Sequence, residues 1–196
     1  MTSWLLALLV LPMAPPRALS VDGASFVDRL LAAAIEQTKH AVRYDGSYRR
    51  IAYPGGDVPP DVGVCTDLVV RAYRSVGVDL QRLVHEDMRS AFSAYPALWG
   101  LTRPDANIDH RRVPNLQVFF ARRGAALPVS MDPADYRPGD LVTWTLPGHL
   151  PHIGFVAADT AVSGRPLIVH NIGRGPELED MLFDFEITGH YRYRGK

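Results

Sequence analysis

Apolar positions recur along this chain with two different periods, and the period changes near residue 130. Before it, apolar residues fall three and four apart, the spacing of one helix face. Phe26, Leu30, Leu31, Ala34, Ile35 and Thr38 trace a first helix over about 25–40. Leu68, Val69, Ala72, Tyr73 and Val76 trace a second, which begins at Cys65 and stops at Gly77, a residue suited to the left-handed turn that ends helices. Leu80, Leu83, Val84, Met88 and Phe92 mark a third over 79–95. Pro114 opens a fourth through Leu116, Phe119 and Phe120, stopped at Gly124. From Pro138 the period shortens towards two. Leu141 to Trp144, His152 to Val156 and Leu167 to His170 read as strands between turn signals at Pro138-Gly139-Asp140, Pro147-Gly148 and Arg165-Pro166. Phe183 to Ile187 and Tyr191 to Tyr193 read as added edge strands. Helices first and antiparallel-looking strands afterwards predict an α+β domain.

Two stretches lack a period. Tyr44 to Ala52 is polar and aromatic, a short extended segment that leads into a Gly/Pro-rich loop from Tyr53 to Val64. Pro96 to Val113 is irregular and carries Arg103, Asp109, His110, Arg111 and Arg112. Such a stretch is either a solvated surface loop or, as long structured loops often are, a loop that contacts substrate.

The length of 196 residues suits one domain that buries its core without disulfides. A hydrophobic content of 47% is ordinary for a globular chain, and the 21 basic residues balance the 21 acidic ones. That balance argues against a general nucleic-acid binder. The apolar run Trp4 to Ala14 is too short to span a bilayer as a helix, which takes about 20 residues. Followed by Ala18 and Ser20 at a small-residue cleavage site, it reads as a secretory signal over 1–20, although no Lys or Arg precedes it. The expectation is an exported, periplasmic or extracellular bacterial protein. It has one mature domain over 21–196 and no stable membrane span once the signal is removed.

Export makes the single cysteine informative. Secreted chains that use cysteine for structure carry pairs, so a lone one is either a buried inert residue or a reactive thiol. Cys65 stands where a Gly-rich loop enters a helix, so unpaired backbone N–H groups and the helix dipole favour a thiolate. A thiol nucleophile needs a base, and the base needs an orienting group. Of the 7 histidines, His152 starts a strand and His170 ends the next, so neighbouring strands can bring them together. His152 is the candidate base and His170 the candidate orienting residue. Asn171 is the alternative, because adjacent strand residues face opposite ways. A zinc site of His149, His152, His170 and Cys65 is a rival. Pro147, Gly148 and Pro151 exclude a helix there, so the spacing of His149 and His152 does not put them on one face. No metal and no cofactor is assigned.

The segments Tyr53-Pro54-Gly55-Gly56, Gly63-Val64-Cys65-Thr66-Asp67-Leu68-Val69 and Gly77-Val78-Asp79-Leu80 resemble the nucleophile segment of NlpC-type cysteine peptidases. Pro138 to Val142 is similar to their next strand, His152 to Val156 to their His-Val-Gly-Ile strand, and Ile168 to His170 to the strand bearing the third polar residue. The chain also looks like a bacterial exported domain of unknown function within that papain-like superfamily. The resemblance implies a papain-like NlpC-type fold with the nucleophile helix packed on an antiparallel sheet. It further implies Cys65 as nucleophile, His152 as base and His170 as orienting residue. Tyr53 would lie near the thiol, and the Cys65 backbone N–H would help form an oxyanion hole. Val64 stands where the family has Asp, and Thr66-Asp67 where it has Ser-Gly, so the contacts to substrate beside the nucleophile are expected to differ. The implied reaction is cleavage of amide bonds in peptidoglycan-derived peptides. The alternatives are a module that only binds such a peptide and an acyltransferase that uses the same thioester.

Overall fold

The computed structural model describes residues 24–195, so the apolar run and the cleavage site read as a signal lie outside the described residues. Four helices come first. α1 (Phe26–Glu36) starts at Ser25, whose hydroxyl accepts from the Asp28 amide while the Asp28 carboxylate accepts from the Ser25 amide. β1 (Arg43–Tyr44) pairs in parallel with β2 (Val62–Gly63), and α2 (Cys65–Ser75) follows directly. α3 (Leu80–Ser90) is capped by the Asp79 carboxylate, and α4 (Val113–Arg122) has Pro114 in its first turn.

Six strands then form one antiparallel sheet. They are β3 (Ala126–Leu127), β4 (Leu141–Leu146), β5 (Leu150–Thr160), β6 (Pro166–Asn171), β7 (Pro176–Glu179) and β8 (Glu186–Tyr191), in the order β3-β8-β4-β5-β6-β7. The architecture is α+β, as the two periods predict. Ile153, Phe155 and Val169 face the helices and join Leu68, Tyr73, Leu116 and Phe120 in the main core. Val142, Trp144, Val156 and Ile168 point the other way, into a smaller core with Tyr136 and Leu182. Both faces of β5 are therefore covered, which is why its alternation of apolar and polar residues is imperfect.

Three features differ from the pattern-based reading. β5 begins at Leu150, so His152 is its third residue and not its first. The two expected edge strands are one strand, β8, and it lies inside the sheet between β3 and β4. Its polar residues are compensated internally: the buried Asp140 accepts from His190 at 2.8 Å, as it does from Arg192 just past the strand at 2.7 Å, and Thr188 bonds Thr143 at 3.0 Å. β7 carries no apolar alternation and forms the true edge beside β6.

Candidate active site around Cys65

Cys65 is the first residue of α2 and is 3% exposed. The chain enters through Gly63, where a methyl group would sit 3.2 Å from the Asp67 Cβ, tighter than most such contacts. Asp67 then reaches back to accept from the Val64 amide at 2.7 Å, which fixes the first turn. The sulfur meets three donors, the backbone N–H of Ile153 on β5, the hydroxyl of Tyr44 on β1 and the backbone N–H of Thr66. The thiol thus touches β5 one residue along from His152.

Burial pushes the Cys65 thiol up to about 11, against the downward pull of those donors. This corrects the expectation of an easily ionised thiol: the helix start favours the thiolate, but loss of water at a nearly sealed sulfur outweighs it. Iodoacetamide labelling of the folded protein is therefore expected to be slow at pH 7 and to climb through pH 10. At neutral pH only about one thiol in ten thousand is ionised at that value. Intact-mass kinetics across pH check this, and a rate that levels off by pH 8 would show a thiolate already formed at rest.

The histidines form a chain of contacts. His152 Nε2 lies 3.0 Å from His170 Nδ1, and His170 Nε2 lies 3.0 Å from Glu179 Oε2 on β7. The register places Gly154 opposite His170, so His152 meets it on the diagonal. A side chain at 154 would not fit, since a methyl group there would sit 2.8 Å from Ile168 and 3.0 Å from the His170 Cβ. Glu179 determines the protonation pattern. A carboxylate accepts, so His170 carries its proton on Nε2 and offers Nδ1 as an acceptor. His152 must then donate from Nε2, which leaves its Nδ1 as the free lone pair. Burial drives His152 down to about 3 and His170 downward as well, the latter opposed by Glu179. At rest both rings are neutral, and the burial that keeps His152 neutral also weakens it as a proton acceptor, so a catalytic role rests on His170 and Glu179 supporting its imidazolium.

The other sequence-derived residues fall in distinct places. Thr66 and Asp67 are buried, so neither is open to a substrate. Thr66 donates to the Arg111 carbonyl at 3.0 Å, and Asp67 accepts from the Arg111 side chain at 2.7 and 2.9 Å. Arg111 also donates to the carbonyls of Asp45 and Ser47, so it ties the Cys65 turn to the loop that follows Tyr44. Arg111 is thus neither a solvated loop residue nor a substrate contact. Tyr53 packs its ring edge-on against His85 at 5.0 Å, and the phenol beside the thiol is that of Tyr44. Asn171 accepts from the Gly173 amide, while His170 meets His152. His149 sits exposed in the β4–β5 turn with φ 59. Among the described residues no group of three or more His, Cys, Asp or Glu is placed to hold a metal ion. Sequence reasoning missed Tyr44, Glu179 and Arg111.

Comparisons with known proteins give the following. A protein of Escherichia coli K12, "Uncharacterized protein YijF", is 48% identical over 182 residues, covering 93% of this chain and 88% of that one. The solved structures of NlpC1 and NlpC2 from Trichomonas vaginalis align with 89% of this chain at TM-scores of 0.49 and 0.48, with 16% and 17% identity. The chain spans about half the length of each, 46% and 48%. The family model described as "Domain of unknown function (DUF1287)" matches residues 31–193. The chain therefore belongs to the DUF1287 family.

Proposed function

We propose that this protein is an exported cysteine hydrolase that cleaves amide bonds in bacterial cell-wall peptides. The observation that carries the reading is the His152–His170–Glu179 chain, which starts on the strand whose Ile153 amide meets the sulfur of a thiol at a helix start. The motif resemblance to NlpC-type peptidases supplies the substrate class. In this reading His152 Nδ1 takes the Cys65 proton as the sulfur attacks the scissile carbonyl. The oxyanion forms at the start of α2, where the Cys65 backbone N–H has no carbonyl partner within the helix. The imidazolium then protonates the leaving amine, a thioester remains on Cys65, and a water deprotonated by His152 releases the acid. His170 and Glu179 stabilise the imidazolium without moving. Thiol and imidazole must close to hydrogen-bond reach as substrate binds, as such pairs often do.

Purified protein incubated with peptidoglycan fragments and read by mass tests this. The expected result is two products that together exceed the substrate by one water, absent with Cys65→Ala. Products joined to an added amine instead of water would indicate acyl transfer. Binding without any product, equal in wild type and Cys65→Ala, would indicate a binding module.

A further inference from the structure

Arginines of the described residues mostly sit against carboxylates: Arg71 on Asp57, Arg82 on Glu86, Arg111 on Asp67, Arg122 on Asp87, Arg165 on Asp180 and Arg192 on Asp140. Arg50, Arg89 and Arg103 pair with none among the described residues, and all three line one cleft of about 680 Å³. They come from three separate parts of the chain: the loop after Tyr44, the last turn of α3, and the stretch before the buried 109–111 turn. Arg29, Arg137 and Arg194 also lack a carboxylate partner among the described residues; what sets Arg50, Arg89 and Arg103 apart is that all three are exposed and line the same cleft.

The carboxylate in the cleft, Asp105, forms no ion pair with any of the three. Asp105 is already engaged, accepting from the Asn107 amide at 2.9 Å, the Asn107 side chain at 2.7 Å and the Tyr48 hydroxyl at 3.1 Å. The floor is rigid, because Gln81 donates from one amide group to the carbonyls of Ala52 and Ala106. His85 also lines the cleft, with a buried Nδ1 that has no partner among the described residues. The volume suits a small-molecule or peptide-end ligand. Guanidinium groups bind planar oxyanions in pairs of hydrogen bonds, and three of them favour a ligand with more than one such group.

We infer that this cleft binds the oxyanionic part of a ligand, carboxylates or phosphates held by Arg50, Arg89 and Arg103. Two of its walls are joined through the chain to the Cys65 turn. The loop carrying Arg50 and Tyr48 starts at Tyr44, which touches the sulfur, and the stretch carrying Arg103 and Asp105 runs into Arg111, which holds Asp67. That the ligand is the acidic end of the hydrolase substrate rests on the proposed function; that the cleft binds oxyanions does not.

Titration calorimetry on the full protein with triglutamate and with inorganic pyrophosphate tests the inference. At least one probe is expected to bind wild type and Cys65→Ala alike, with affinity falling as salt rises. Binding is expected to be at least tenfold weaker in the double variant Arg89→Gln, Arg103→Gln. Triglutamate alone would identify a carboxylate ligand, pyrophosphate alone a phosphate, and both a general oxyanion site. Since neither arginine is paired, the double variant orphans no carboxylate and is expected to keep its melting temperature. Should it fail to fold, Arg50→Gln carries the same expectation. No binding to wild type, or equal binding by the arginine variants, overturns the inference. Binding by a wild type that turns over no cell-wall peptide would sink the hydrolase reading and leave the cleft standing.

Discussion

Alanine at position 65 is expected to leave a folded protein with no measurable turnover of the peptide that wild type cleaves, and alanine at 152 to come close to it. In the proposed mechanism the two share one proton transfer. Burial pushes the thiol up to about 11, so in that mechanism the base acts during attack and not on a standing thiolate. A positioned base contributes roughly 100- to 10,000-fold, so His152→Ala is expected to lose at least that much. Combining it with Cys65→Ala is expected to cost little more than Cys65→Ala alone, because members of one catalytic unit are not additive. His170→Ala is expected to fall between, since water can take its place against His152 Nε2. Glu179→Gln should be milder still, and it should move the pH profile, because an amide can hold the wrong His170 tautomer. His149→Ala, in the exposed turn, is expected to keep wild-type kcat/KM. Each variant needs an unchanged circular dichroism spectrum first. Wild-type turnover by Cys65→Ala would remove the nucleophile from the scheme, and equal losses at His149 and His152 would remove the base.

The parts of this site that were legible in the sequence are those set by local pattern. Cys65 is visible because a Gly-rich loop meets an apolar period of 3.6 there, and a helix start is a local event. His152 and His170 are visible because strand alternation, with Gly154 between them in register, permits only certain neighbours. The residues that were missed act through long sequence separations. Arg111 meets Asp67 from 44 positions away, and nothing near either residue announces it. Tyr44 sits on a two-residue strand whose partner, Val62–Gly63, lies at the far end of the Tyr53 loop. Glu179 belongs to a strand, PELE, that has neither alternation nor β-branched residues and exists only because β6 offers it an edge. The same cause explains β8, which reads as two edge pieces because its central polar residues find partners across the sheet. Thr66 and Asp67 misled in the opposite direction. Polar residues beside a nucleophile look like substrate contacts, yet both turn inward to hold the loop that carries Tyr44.

That inward turn gives the largest expected effect on stability. Asp67 and Arg111 have side chains only 3% and 2% exposed, and each satisfies the other with two short hydrogen bonds. Asp67→Ala leaves a guanidinium buried without its carboxylate, and it also releases the Val64 amide at the start of α2. Breaking a buried pair from one side costs about 3–5 kcal/mol, which for a domain of this size lowers the melting temperature by roughly 6–20 °C. Asp67→Asn keeps an acceptor for the Val64 amide and is expected to lose less. The double variant Asp67→Ala, Arg111→Met removes the orphaned charge and is expected to recover most of the loss, since an apolar replacement of a buried pair is often neutral. Urea denaturation of the four proteins measures this. If Asp67→Ala costs under about 1 kcal/mol, the typical value of an exposed pair, the ion pair is not buried in solution. If the double variant is no more stable than Asp67→Ala, the loss comes from the Val64 cap and not from the stranded arginine. Turnover of the double variant then separates stability from positioning. The Arg111 guanidinium also holds the carbonyls of Asp45 and Ser47, so Tyr44 is expected to drift from the thiol and kcat to fall even where the fold is restored.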